Sequence, residues 1–353
     1  MSKFLNKKYA SLEAYVPGEQ PTDKKYIKLN TNESPYPPSK ETIDAILRED
    51  SLSLNLYPDP TCGKLKNALA KRFNLSTENV FVSNGSDDIL NFSFMAFAGN
   101  GVKAIFPDIS YGFYQVFCDL HNVEYEKKPL SSDLTISVSD YTNNDALVVI
   151  ANPNAPTGIF LSLGEVEKIV RSNPDHVVII DEAYIDFGGE SAVQLVDTYS
   201  NLLVVQTFSK SRCLAGGRIG FAFGSAELIS DLEKIKYSTN PYSINRVSLN
   251  AGVSAIESDE YYMSKCLDII SSREYTTKEL EKLGFFVTDS KANFIFAKKE
   301  GVDGEWFYNK LRENGVLVRH FTSERIKDFN RITIGTKEQM EKFIEVTKSI
   351  LNI

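Results

Sequence analysis

The stretch NVFVSNGSDDILNFSFMAFA, residues 79–98, decides how the rest of the chain reads. NVFVSN (79–84) is short and largely apolar, as suits a strand buried on both faces. Gly85 follows, and SDDILNFSFMAFA (86–98) then has the apolar spacing of a helix. Strand, glycine turn and helix in direct succession form the repeating unit of open α/β sheets.

The same alternation extends in both directions. GKLKNALAKRF (63–73) has helical spacing. KAIFPD (103–108), ALVVIAN (146–152), VVIIDEAY (177–184) and NLLVVQTFS (201–209) are apolar runs rich in β-branched residues, which suit strands covered by helices on both sides. In SLGEVEKIVRS (162–172), Ser162 and Glu165 have capping-box spacing, the mark of a helix start. These segments predict a doubly wound α/β unit with a parallel or mixed sheet. After Gly224 the pattern changes to helix through about residue 283. From 284 onward the strand-like GFFVTD, ANFIFAK, GVLVRHF and RITIGT alternate with the helical EWFYNKLREN and KEQMEKFIEVTKSI. A second, smaller α/β domain is expected there. The first 34 or so residues are rich in Pro, Asn and Lys and read as an arm, with helix starting after Pro38.

The bulk composition bounds the function. The chain has 353 residues, 42% hydrophobic and 24% charged, an ordinary globular composition with room for two domains. Its formal net charge of −8 and lack of a long basic run argue against nucleic acid or an acidic membrane as partner. Cys62, Cys118, Cys213 and Cys266 form no C-x-x-C pair, so a reducing compartment is expected. His121, His176 and His320 are dispersed, and nothing proposes a metal. The N-terminus lacks an apolar signal core, so a cytoplasmic location is expected.

Four clusters carry chemistry. Thr207-Phe208-Ser209-Lys210 ends one strand, with Gly216, Gly217 and Arg218 just beyond. A lysine at a strand's carboxyl end lies where α/β sheets hold ligands, and hydroxyls plus an arginine suit a phosphate. Asp181-Glu182-Ala183-Tyr184 ends another strand; a carboxylate buried there needs a cationic partner. Asn152-Pro153-Asn154-Ala155-Pro156-Thr157-Gly158 is a rigid turn that can aim an amide into a site. Gly85-Ser86-Asp87 offers backbone N–H groups at a helix start, a site for an anion. Each cluster alone also has an ordinary structural reading, as a surface lysine, an N-cap, a bare turn or a capped helix. Their order and spacing together are far more specific.

That order, with Ser110-Tyr111-Gly112, LNTNESPYPP near the N-terminus, NLYPDP (55–60) and NRITIGT (330–336), resembles the fold type I aminotransferases that depend on pyridoxal phosphate. Within them it is most similar to the histidinol-phosphate branch, over nearly the whole chain. The resemblance implies an arm over 1–34 packed on the small domain or on a partner subunit. It implies a large cofactor-binding domain over 35–245 with a mixed, mostly parallel sheet, and a small α/β domain over 246–353. Lys210 matches the Schiff-base lysine and proton carrier, Asp181 the partner of the pyridine nitrogen, and Tyr184 the phenol on the ring oxygen. Gly85, Ser86, Asp87, Thr207, Ser209 and Arg218 fall at the phosphate, and Tyr111 stacks on the ring. Tyr57 matches a tyrosine reaching the neighbouring subunit's cofactor phosphate, which implies a homodimer. Arg331 matches the arginine that grips the substrate's acidic group, and Tyr15, Asn32 and Arg319 fall at substrate positions.

One departure stands out. Where the family has asparagine immediately before Pro-Thr-Gly, this chain has Ala155. Asn154, one residue earlier, is expected to reach the ring instead; otherwise Tyr184 acts alone. The expected reaction is transamination between L-histidinol phosphate and 2-oxoglutarate. Rivals on the same scaffold are an aromatic aminotransferase and a phospho-amino-acid decarboxylase. A rival of another class is a ligand-sensing regulator domain, disfavoured because no DNA-binding segment accompanies it. A nicotinamide-dependent oxidoreductase is disfavoured because Gly216-Gly217-x-x-Gly220 lacks the G-x-G-x-x-G spacing.

Overall fold

The computed structural model describes residues 2, 4–10, 12–13, 15–48 and 53–353. The arm contributes β1 (Ile27–Lys28), followed by α1 (Lys40–Ile46) and α2 (Gly63–Phe73). The alternating region then runs β2 (Val80–Ser83), α3 (Ser86–Phe97), β3 (Lys103–Pro107), α4 (Phe113–His121) and β4 (Tyr125–Lys128). It continues with β5 (Ala146–Ala151), α5 (Leu163–Ser172), β6 (Val178–Asp181), β7 (Leu202–Thr207) and β8 (Gly220–Phe223). Three helices follow, α6 (Ala226–Thr239), α7 (Arg246–Glu257) and α8 (Asp259–Lys282). The last segment is β9 (Phe285–Val287), β10 (Phe294–Lys299), α9 (Gly304–Glu313), β11 (Val316–Leu317), β12 (Arg319–His320), β13 (Asn330–Thr333) and α10 (Lys337–Leu351).

Seven strands form one sheet in the order β2-β8-β7-β6-β5-β3-β4. β8 runs antiparallel to both neighbours, and the pairings from β7 to β4 are parallel. Every residue of β5, β6 and β7 is buried, so helices must cover both faces. The period of two sorts the side chains. Val148, Ile150, Val178 and Ile180 pack with Leu65, Leu69, Val166 and Ile169 of α2 and α5. Leu147, Val149, Ile179 and Leu203 pack on the other face with Ile89, Leu90, Phe117 and Leu232 of α3, α4 and α6. The capping box at α5 forms as its spacing predicts: Ser162 N donates to Glu165 Oε2 at 2.8 Å and Glu165 N to Ser162 Oγ at 3.4 Å.

A second, four-stranded sheet has the order β12-β13-β10-β9 and is antiparallel throughout. Its core joins Phe285, Ile295 and Ile332 to Phe307 and Leu311 of α9 and Phe343 of α10. The run GVLVRHF, read above as one strand, divides. β11 pairs in parallel with β1 of the arm, while β12 joins β13, with buried Val318 between them. The arm is thereby tied to the second sheet's neighbourhood by backbone hydrogen bonds, Ile27 N to Gly315 O and Leu29 N to Leu317 O. Among the described residues, no helix is long and apolar enough to cross a membrane.

Candidate active site

The carboxyl ends of β6 and β7 open onto a cavity of about 600 Å³. Such crevices beyond the strand ends are where open α/β sheets bind ligands. Asp181 is the last residue of β6, and Lys210 lies three residues after β7; both line the cavity.

Asp181 is 5% exposed. Burial pushes its carboxyl up to about 6, with the nearby Asp87 charge adding to the push, while the Tyr114 hydroxyl and the Ala183 amide oppose it. Tyr114 donates to Oδ2 at 2.8 Å and Ala183 N to Oδ1 at 3.3 Å. Lys210 Nζ donates to Thr31 O at 3.3 Å and lies 5.8 Å from the centre of the Tyr184 ring. Burial, with the Arg331 charge adding to it, lowers its pKa to about 8. An amine in that range keeps a nucleophilic fraction near neutral pH. The Tyr184 hydroxyl accepts from Asn32 Nδ2 at 3.1 Å, which leaves its own O–H free to donate. Burial keeps that phenol protonated by pushing its pKa up.

The opposite wall is the start of α3. Gly85 stands at the cap position with φ +89° and supplies no side-chain cap, so first-turn N–H groups stay available. A Cβ on Gly85 would lie 2.6 Å from the Arg218 guanidinium, and a Cβ on Gly220 would lie 2.3 Å from the Gly85 carbonyl carbon. Two glycines therefore let β8, Arg218 and the α3 start close on one another. Ser86, Asp87, Thr207, Ser209 and Arg218 line the cavity here. Asp87 is 3.4 Å from Arg218 Nη2 and accepts from the Tyr111 hydroxyl at 2.8 Å.

The second sheet supplies two cations. Arg331 Nη2 donates to Asn30 O at 3.1 Å, while its buried Nε has no hydrogen-bond partner. Arg319 Nη2 donates to Val16 O at 3.3 Å. Tyr15 reaches the same cavity from the arm, its ring 4.3 Å from that of Phe113. The donor set fits pyridoxal phosphate: uncapped amides, hydroxyls and a guanidinium for the phosphate, a buried carboxylate for a cationic ring nitrogen, and an amine for the aldehyde. The unpaired Arg331 Nε fits an acidic group of a substrate.

Tyr111, Tyr184 and Asn32 also line the cavity, so most of the residues picked from the sequence converge. Three stand apart. Gly85 lies beneath the wall and acts through its backbone. Tyr57 is 77% exposed and stacks on Tyr242 at 4.5 Å, away from this chain's own cavity. Asn154 does not make the expected contact. Its amide donates to Ile109 O at 3.0 Å and to Thr157 Oγ1 at 3.1 Å, and its oxygen accepts from Ser110 at 3.0 Å. Both of its N–H donors are consumed in holding the turn, and Ala155 lines the cavity in its place. Sequence reading missed Tyr114, Asn30, Thr31 and Glu33. The last three lie within the quoted LNTNESPYPP, and Tyr114 is three residues beyond Tyr111. Among the described residues, no group of three or more His, Cys, Asp or Glu could hold a metal ion.

The chain is similar in sequence and fold to known proteins. The model of the family described as aminotransferase class I and II matches residues 24–346. A histidinol-phosphate aminotransferase of Brachyspira hyodysenteriae is 51% identical over 352 residues, 99% of each chain. One from Clostridium acetobutylicum is 48% identical over 351 residues, 99% of this chain and 100% of that one. Among solved structures, a histidinol-phosphate aminotransferase from Sinorhizobium meliloti in complex with pyridoxal-5'-phosphate superposes with a TM-score of 0.83. It is 22% identical, covering 93% of this chain and 92% of that one, a likeness of fold. With the family model spanning both sheets and the relatives spanning the chain end to end, this protein belongs to the class I and II aminotransferase family.

Proposed function

We propose that the chain is a pyridoxal-phosphate-dependent aminotransferase that moves the amino group of L-histidinol phosphate to 2-oxoglutarate. The products are imidazole acetol phosphate and L-glutamate, a step of histidine biosynthesis. The observation that carries this is the meeting of Lys210 and Asp181 in one cavity, in a chain about half identical to proteins named histidinol-phosphate aminotransferase.

When bound, pyridoxal phosphate supplies an aldehyde for an amine and a protonated ring that accepts electrons. The protein's part is positioning and proton movement. The N–H groups of Ser86 and Asp87, the hydroxyls of Thr207 and Ser209 and the Arg218 guanidinium hold the phosphate. Tyr111, which lines the cavity, would stack on the ring. Asp181 holds a negative charge at the ring nitrogen. Tyr184, its oxygen already accepting from Asn32, donates to the ring oxygen without help from Asn154. Lys210 Nζ, its pKa lowered to about 8, would serve as the base that takes the proton from the substrate Cα and as the acid that returns it. Arg331 grips the substrate's acidic group through a fork that lysine lacks, with Arg319, Tyr15 and Asn32 around it.

The active form is a homodimer in which Tyr57 reaches the neighbouring subunit's phosphate, and the protein is cytoplasmic. The chain divides into an arm over 1–34, a large domain over 35–245 and a small domain over 246–353. The arm's pairing with β11 supports its association with the small domain. Purified protein should carry visible cofactor absorbance, and borohydride reduction followed by peptide mapping should place the adduct on Lys210. Steady-state rates should favour L-histidinol phosphate over phenylalanine, and O-phosphothreonine should not be decarboxylated. An adduct elsewhere overturns the cofactor reading; preference for phenylalanine overturns the substrate.

A further inference from the structure

Tyr114 lies on α4 with no exposed surface, and its hydroxyl donates to Asp181 Oδ2 at 2.8 Å. Its ring is held edge-on by Tyr111, at 5.6 Å and 84°, and by Phe106, at 5.8 Å and 63°. The ring is thus clamped between the residue lining the cavity and the residue in β3. We propose that Tyr114 is a positioning residue, a fixed hydrogen-bond donor that orients the Asp181 carboxylate and keeps it ionised for a cationic nitrogen in the cavity. This rests on the reading of Asp181 as that nitrogen's partner.

The chemistry follows from what faces Asp181. The Asp87 charge on α3 opposes ionisation, and the Lys210 charge after β7 favours it. The Tyr111 hydroxyl is committed to Asp87, and the Tyr184 oxygen accepts from Asn32. Glu182, next in sequence, is turned away, accepting from Ser191, Ala192 N and Gln206. The Ala183 amide donates at the longer distance of 3.3 Å. The short Tyr114 contact is therefore the main donor that stabilises the charged form. Burial and the neighbouring Asp181 charge push the Tyr114 phenol well above its ordinary range, so it keeps its proton and remains a donor. A water in its place would be free to turn; a phenol packed between two rings is not.

The test uses cofactor-free protein with carbon-labelled aspartate carboxyls, the Asp181 signal being assigned by its loss in Asp181→Asn. Tyr114→Phe should move the Asp181 titration midpoint upward by about one pH unit, the worth of one charge-assisted hydrogen bond. In the holoenzyme the same change should weaken cofactor binding about tenfold and shift the acid limb of kcat upward, with KM little changed. Folded Tyr114→Phe with an unmoved midpoint overturns the proposal, since a purely structural tyrosine would alter stability alone. Should the phenylalanine variant not fold, fluorotyrosine placed at 114 keeps ring and hydroxyl and strengthens the donor. The midpoint should then fall, and no movement again overturns the proposal. Because the midpoint is read without cofactor, it holds or fails independently of whether Lys210 forms its adduct.

Discussion

Asp181 and Lys210 each hold a charge that burial opposes, and that opposition is measurable. The folded pKa of Asp181, about 6, exceeds the ordinary aspartate value near 4. The folded state therefore binds this proton more tightly than the unfolded state does. Stability of the cofactor-free protein should fall as pH rises from about 4 through 6, by up to roughly 3 kcal/mol from this group. Glu182, raised by burial to about 7, adds a slope of the same sign that continues to higher pH. Lys210, lowered to about 8, carries a penalty below that pH which is relieved as pH rises toward its ordinary range. Asp181→Asn should flatten part of the acid-side slope and stabilise cofactor-free protein at pH 7.5 by on the order of 1–3 kcal/mol. It should also nearly abolish turnover. Urea unfolding at pH 5 and 7.5 checks the first claim, and identical pH slopes in both proteins would refute it. Lys210→Ala should lower turnover at least about a thousandfold and remove the borohydride adduct. Arg331→Ala should raise the KM for 2-oxoglutarate about 10- to 100-fold, the loss of one or two charged hydrogen bonds, while cofactor absorbance persists. Equal loss of both would remove Arg331 from the substrate role. The convergence of these side chains was legible because each sits at a strand end or turn with its own pattern. Tyr114 was not, since one tyrosine within the apolar FYQVF carries no mark of what its hydroxyl meets.

The elements that could be read were those with a strong period or cap. The segment 63–73 is α2, 162–172 closes into capped α5, and the runs around 80, 148, 179 and 204 are the buried strands. β4 (YEKK) escaped because an edge strand, half in water, has no apolar signature. The division of GVLVRHF was hidden because β11 and β12 share one apolar run but pair with different partners, a tertiary choice. The turn 152–158 was read as rigid; which way its amide faced depended on Ile109 and Ser110, more than forty residues away in sequence. At this scale the α3 start offers the sharpest prediction. Gly85→Ala would place a methyl 2.6 Å from the Arg218 guanidinium, at φ +89°. Arg218 must move aside and the backbone must strain, a destabilisation of about 1–3 kcal/mol. If Arg218 holds the cofactor phosphate as proposed, the same movement withdraws it, and cofactor affinity should fall more than stability does. A thermal melt of cofactor-free protein and a cofactor titration separate the two; full affinity in Gly85→Ala would mean that the wall is not where phosphate binds.

For the whole molecule, the placement of Tyr57 bears on the proposed homodimer. It is 77% exposed, beside Leu54 and Leu56 at 66% and 61%, and its ring is braced by Tyr242 while Arg246 donates to its carbonyl at 2.8 Å. An exposed aromatic and aliphatic patch, braced from within, suits an interface. In a symmetric dimer the same patch serves both subunits, so each site would combine Lys210 of one chain with Tyr57 of the other. Tyr57→Ala and Lys210→Ala proteins are each defective at both of their sites. Mixed and allowed to exchange, half the dimers should be hybrids, and each hybrid has one site with Lys210 from the first chain and Tyr57 from the second. Activity should recover to about a quarter of that of the unmutated enzyme. If Tyr57 served its own chain's site, the hybrid would gain nothing: one site would lack Tyr57 and the other would lack Lys210. An intact site would then need a chain carrying neither substitution, and none is present in the mixture. Recovery on mixing therefore demands sharing, and a mixture no more active than the average of its two components refutes it.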